Sequence, residues 1–158
     1  LTELFECGVE LLHIRKPSMT TVEMRELIEN IPEHFHSRLV IHSHHKLASK
    51  YKLHGIHLTG VHRKRKFSTW FRIWRLKMTS SNLLVTTSFH KLSHLYSNKN
   101  DYSYVFLGTI FDRLSGGYNP GYSEHSIRAA IAKANIPLIA RGGITQEFLP
   151  RCVDLGFA

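Results

Sequence analysis

At 158 residues and 42% hydrophobic composition, the chain is the size of about one domain, read here as a single unit over residues 1–158. No apolar run is long enough to cross a membrane, and the formal net charge of +9 selects anionic partners. Cys7 and Cys152 stand without paired spacing, which argues against a disulfide framework and a structural thiolate zinc site and fits a cytoplasmic setting.

Residues 1–7 read as the tail of a helix stopped by Gly8. Residues 9–15 are expected as a strand, with Leu11, His13 and Arg15 on one face and Leu12 and Ile14 on the other. Thr20 or Thr21 can cap a helix that runs to Asn30. A second strand follows at residues 38–42, a short helix at 46–52 and a third strand at 55–58. His62-Arg63-Lys64-Arg65-Lys66 is expected as a basic loop, followed by a helix opening near Ser68 that packs Trp70 and Trp74. Residues 83–87 form a fourth strand, 92–96 a short helix and 104–108 a fifth strand. A Gly-rich loop spans 111–122, a helix 123–134, a sixth strand 137–140 and a last helix 145–155.

Short apolar strands alternating with helices indicate an α/β fold with a parallel sheet. It closes either as an open doubly wound sheet or as a TIM (β/α)₈ barrel lacking its first strand and its last strand–helix unit. The absence of G-x-G-x-x-G after the first strand weakens a dinucleotide site. On either closure the polar residues that end the strands mark the active face.

Arg15 offers a rigid fork of donors suited to phosphate. Ser88 can donate a hydroxyl, and His90 can move a proton near neutral pH. Gly142 and Gly143 end an apolar strand just before a helix, where bare amides can approach a phosphate. His13, His42 and Thr109 line the expected pocket. Among His42, His44 and His45, His42 and His44 share a face with help from His13 or His57, but no Asp or Glu stands nearby and the spacing matches no standard zinc pattern. No metal site is assigned from the sequence. The basic run is read as a solvated loop over an anionic ligand, not a nucleic-acid surface.

The stretches LLHIRKP, RLVIHSHHKLASKYKLHGIHL, TTSFHKLSHL, YVFLGTIFD and IPLIARGGI occur in an order and spacing that resemble the thiamine phosphate synthase / TenI superfamily. The resemblance covers nearly the whole chain and implies the (β/α)₈ barrel, here trimmed at both ends. It implies small phosphorylated thiazole and pyrimidine ligands, with a homo-oligomer compatible. The synthase branch couples hydroxymethylpyrimidine pyrophosphate to thiazole phosphate and uses Mg²⁺. Arg15 then matches the pyrophosphate arginine, Ser88 the phosphate-contacting Ser/Thr region, and Gly142 and Gly143 the glycines that hold the thiazole phosphate.

Several positions depart from the synthase pattern. His13 replaces Gln, Pro17 replaces Lys and His42-Ser43 replaces Asn-Asp. His62 falls near the second magnesium-binding Asp, and Ser115-Gly116-Gly117 lacks the expected lysine. The implied magnesium-pyrophosphate site is therefore degraded. The TenI branch resembles the chain better here: its thiazole tautomerases need no metal, and His90 takes the acid/base role. A non-catalytic phosphate-binding or regulatory barrel is the third reading.

Overall fold

The structure is a computed structural model and describes residues 1–98, 100–112 and 115–158. Arg113 and Leu114, in the expected loop over 111–122, lie outside the described residues, as does the side chain of Lys66 in the basic run. The chain divides into two compact units, Leu1–Val85 and Thr86–Ala158.

In the first unit a short helix α1 (Thr2–Glu6) leads to β1 (Leu12–Ile14), α2 (Thr21–Glu29), β2 (Leu39–Ile41), α3 (Lys46–Lys50) and β3 (Gly55–Leu58). The strands pair in parallel, β1 with β2 and β2 with β3. Leu39, Val40 and Ile41 are fully buried, as expected of a parallel strand covered on both faces. The expected strand over 38–42 is shorter because Glu33–Arg38 winds into a 3₁₀ turn first.

Thr20 rather than Thr21 caps α2. Its hydroxyl accepts from the Glu23 amide, and the Glu23 carboxylate accepts from the Thr20 amide at 2.7 Å. This reciprocal box satisfies two donors that the first helical turn leaves unpaired. Thr20→Ala is expected to lower unfolding free energy by about 1 kcal/mol, read as a lower urea midpoint at unchanged slope.

Two expectations fail between residues 60 and 79. The basic run is not an open loop: Gly60–Lys64 forms the one-turn helix α4, capped by Thr59 and His62, and α5 (Lys66–Thr79) starts two residues before Ser68. Trp70 and Trp74 do not pack. They lie 61% and 49% exposed, on one stripe with Phe67, Phe71 and Met78. The roll of α5 is set by Thr69, which is buried and donates its hydroxyl to the His62 carbonyl at 2.7 Å, and by buried Leu76 one heptad later. Trp70, one residue past Thr69, is turned about 100° from it, and Trp74, two residues before Leu76, about 160° from that anchor, so both leave the inward stripe.

The second unit holds most of β4 (Leu84–Phe89), then α6 (Leu92–Tyr96), β5 (Tyr104–Leu107), α7 (Glu124–Lys133), β6 (Leu138–Ala140) and α8 (Leu149–Leu155). Again the strands are parallel, β4 with β5 and β5 with β6. The last helix begins later than expected, because Gln146–Phe148 is a 3₁₀ turn. The described part of the Gly-rich loop is held against α8. Phe111 bridges Tyr118, stacks on Phe148 at 4.6 Å, and the Arg151 guanidinium sits 4.7 Å from the Tyr118 ring centre. The alternation of strand and helix thus carries the α/β expectation through six parallel strands. Cys7 and Cys152 are both free. Among the described residues, no helix is long and apolar enough to cross a membrane.

Candidate functional site

In the first unit the parallel register decides which histidines meet. His13 stands opposite Val40, and Val40 opposite Gly55. His42 and His57 each follow two residues later on their strands. Residues two apart on a strand share a face, so His13, His42 and His57 all emerge on the same side. His13 Nδ1 and His42 Nε2 are 3.0 Å apart, and the His42 and His57 rings stack at 4.1 Å. One ligating nitrogen from each of the three lies within 4.8 Å of the other two.

His57 is buried, whereas His13 and His42 are half-buried. Burial, with the His54 charge nearby, pushes the His13 pKa down to about 4, so its ring is neutral at pH 7.

The neighbouring histidines are spent otherwise. His44 points away from His42: its Nε2 donates to the Met19 carbonyl at 2.8 Å, and its Nδ1 accepts from the Thr21 hydroxyl at 2.9 Å. His36 is buried and donates Nε2 to the Ile28 and Ile31 carbonyls. His45 is buried against His62, with ring centres 4.7 Å apart. Among the described residues, neither ring nitrogen of His45 makes a hydrogen bond of good geometry. Burial first, then the His62 and Arg72 charges, outweigh the nearby His42 and His57 carbonyls and lower its pKa to about 4. His62 itself caps α4, its Nδ1 accepting from the Thr59 amide at 3.2 Å.

Arg15 follows β1, is exposed, and makes no ion pair among the described residues. Its guanidinium charge is therefore available to an anion.

The second unit builds its site by the same register rule. Ser88 stands opposite Phe106, and Phe106 opposite Ile139. Arg141, two residues past Ile139, shares their face. An outward direction is conceivable for Arg141 from its strand-end position alone, but its Nη1 donates to Ser88 Oγ at 3.1 Å. Arg141 thus meets Ser88, a pairing that the chain order alone does not show. Its signal is the alternation Ile139, Arg141 read against Ser88.

Gly142 and Gly143 follow with φ of +83° and +72°, two successive left-handed residues. Such a pair makes a tight backbone turn after β6, and without Cβ atoms its amides can be approached closely by a ligand. Neither amide is donated to another described residue. Packing demands glycine here as well. A Cβ on Gly142 would lie 2.5 Å from the Thr109 side chain, and one on Gly143 2.1 Å from the Phe111 carbonyl oxygen. Thr109, expected as a pocket-lining residue, is exposed and touches Gly142. His90 is exposed in the bend after β4 and has no hydrogen bond to Ser88 or Arg141.

The donor set does not fit Mg²⁺. That ion takes oxygen ligands, commonly carboxylates, whereas the one group of three or more His, Cys, Asp or Glu ligands gathered among the described residues is all imidazole. Ser43 follows His42 with its hydroxyl buried, and among the described residues it has no hydrogen-bond partner and joins no cluster of acidic side chains.

Comparison with known proteins gives the same direction along the whole chain. A family model described as thiamine monophosphate synthase matches residues 1–158. A protein of Aquifex aeolicus (strain VF5) named "Putative thiamine-phosphate synthase 2" is 24% identical over 160 residues, covering 99% of this chain and 82% of that protein. The crystal structure of a thiamine phosphate pyrophosphorylase from Bacteroides thetaiotaomicron is similar at a TM-score of 0.72 and 29% identity, covering 99% of this chain and 70% of that one. A thiamine phosphate pyrophosphorylase from Pyrococcus furiosus, 18% identical, shares the fold at a TM-score of 0.72, covering 99% and 73%. With a family match that runs from its first residue to its last, this chain belongs to the thiamine monophosphate synthase family.

Proposed function

We propose that this protein binds a phosphorylated thiazole, or thiamine phosphate, through Ser88, Arg141 and the amides of Gly142 and Gly143. The observation that carries the reading is the pair of left-handed glycines whose amides serve no other described residue, directly after an arginine bonded to Ser88. Backbone amides plus a guanidinium are a strong donor set for a phosphate dianion. Arg15 adds an exposed guanidinium suited to a pyrophosphate. Full (β/α)₈ closure, like the cytoplasmic setting, belongs to this reading.

The same reading makes the protein a synthase-like transferase with a degraded magnesium-pyrophosphate site. Departure of a pyrophosphate needs concentrated positive charge around it. Arg15 supplies part of that charge, but the carboxylates that would hold magnesium are replaced by His42-Ser43 and His62. The lack of a gathered carboxylate set for magnesium among the described residues also favours a second reading, a magnesium-independent thiazole tautomerase in which His90 moves the proton. His90 is exposed, as a group meeting a diffusing substrate must be.

The experiment is calorimetric titration with thiazole phosphate, paired with a synthase assay in Mg²⁺ and a tautomerase assay in EDTA. Saturable binding is expected, weakened about 10- to 100-fold in Arg141→Ala, the loss of one charge-assisted hydrogen-bonding group. Coupling of both synthase substrates at a normal rate would overturn the degraded site. Isomerisation that persists in EDTA and vanishes in His90→Ala would select the tautomerase. Binding with neither turnover would select a regulatory barrel, and undetectable binding would defeat the whole reading.

A further inference from the structure

We propose that His13, His42 and His57 form a three-imidazole site for one divalent transition metal of the zinc, cobalt or nickel class. The site is built by the fold. Three adjacent parallel strands, in the register given above, put one histidine each on a common face. The ligating nitrogens all fall within 4.8 Å of one another, and His13 Nδ1 and His42 Nε2 are already 3.0 Å apart. Ligands at zinc–nitrogen bonds of 2.0–2.1 Å in a tetrahedral site are separated by about 3.3 Å. Bringing the widest pair from 4.8 Å to that edge is a movement of about 1.5 Å, within reach of side-chain rotation.

Ligand chemistry selects the metal. Imidazole suits zinc, copper, nickel and cobalt, whereas magnesium and calcium need oxygen. Metal ligands must be neutral imidazoles, the form that predominates for an ordinary histidine at pH 7. Three protein ligands leave a coordination position open, the arrangement of catalytic rather than structural sites. Half-exposed His13 and His42 leave a path for the ion, and buried His57 closes its far side. Three neighbouring histidines are engaged elsewhere: His36 and His44 are hydrogen-bonded to main-chain carbonyls, and His45 packs on His62. Two positions at which the chain departs from the synthase pattern, His13 and His42, thus join His57 in a site for a different class of ion.

The test uses the metal alone on the full chain and needs no substrate, so its result is independent of the thiazole phosphate reading. Co²⁺ is titrated into metal-free protein and followed by visible absorption, with Zn²⁺ competition and metal analysis after dialysis. One ion per chain is expected, with no thiolate charge-transfer band, which separates the site from exposed Cys7. His42→Gln and His13→Gln are each expected to weaken Co²⁺ at least about 10-fold, as loss of one of three ligands requires. His34→Gln, at an exposed histidine outside the cluster, is expected to leave it unchanged. Millimolar Mg²⁺ is expected not to displace the ion. Absence of stoichiometric binding, a thiolate band, or equal weakening by His34→Gln would overturn the proposal. His42 and His13 are chosen because they are half-buried, and circular dichroism of both variants confirms that they are folded.

Discussion

Gly143→Ala is expected to destabilise the protein by about 3 kcal/mol and to abolish phosphate binding in the same variant. Two costs add. A residue with a Cβ at φ +72° occupies the left-handed region at a cost of about 1–2 kcal/mol. The new methyl would also sit 2.1 Å from the Phe111 carbonyl oxygen and 2.7 Å from its carbon. Those atoms are backbone, and their segment is tied down, since the Ile110 amide donates to the Arg141 carbonyl and the Phe111 amide to that of Gly142. Neither strand end can yield without breaking these bonds, so overpacking adds about 1–3 kcal/mol.

Gly121→Ala isolates the first cost, because Gly121 has φ +91° but no described residue within 4 Å of a Cβ. It is expected to cost about 1 kcal/mol, the left-handed strain alone. Urea unfolding of both variants provides the comparison. Equal losses would show that the approach to Phe111 is not rigid, and unaltered thiazole phosphate affinity in Gly143→Ala would separate the glycine turn from the phosphate grip.

The second large effect is a loss of stability on acidification that runs through His45. Its ordinary pKa of 6.5 falls to about 4 in the folded protein, chiefly by burial. Two charged groups face it from neighbouring helices, His62 of α4 and Arg72 of α5, and both act in the same direction. At pH 7 the ring is neutral in both folded and unfolded chains, so its contribution is complete. Between pH 6.5 and 4 the unfolded chain takes up a proton that the folded chain refuses. Stability therefore falls as pH falls, by on the order of 3 kcal/mol across that window for a lowering of this size.

His13 shifts in the same direction and adds to the trend, less strongly because it is only half-buried. His45→Leu is expected to reduce the difference in unfolding free energy between pH 7 and pH 5 while leaving the fold intact. The same pH slope in variant and parent would remove His45 as its source.

Much of this protein is legible from its residues in order. The apolar runs LVI and GIHL, the Thr20–Glu23 box and the glycine after α8 place strands and helix ends locally, because hydrophobic period, capping and left-handed turns depend on neighbours within a few positions. The alternation of those elements was enough to expect a parallel α/β chain, and the ordered motifs were enough to expect the thiamine phosphate synthase resemblance. Gly142 and Gly143 stood out for the same local reason.

Tertiary structure alone decided which distant side chains meet. His13, His42 and His57 come together because parallel register aligns their faces across 44 positions of chain, a relation that no local pattern encodes. Arg141 reaches Ser88 over an intervening strand for the same reason, 53 residues apart in sequence. The roll of α5 was likewise undetermined by its aromatic spacing. That spacing fits either face, and the buried Thr69 hydroxyl bonded to the His62 carbonyl settles that Trp70 and Trp74 turn outward. Local chemistry determined the elements and the glycine turn. Long-range register determined the histidine cluster and the arginine, because pairing energy belongs to strands that meet only once the chain has folded.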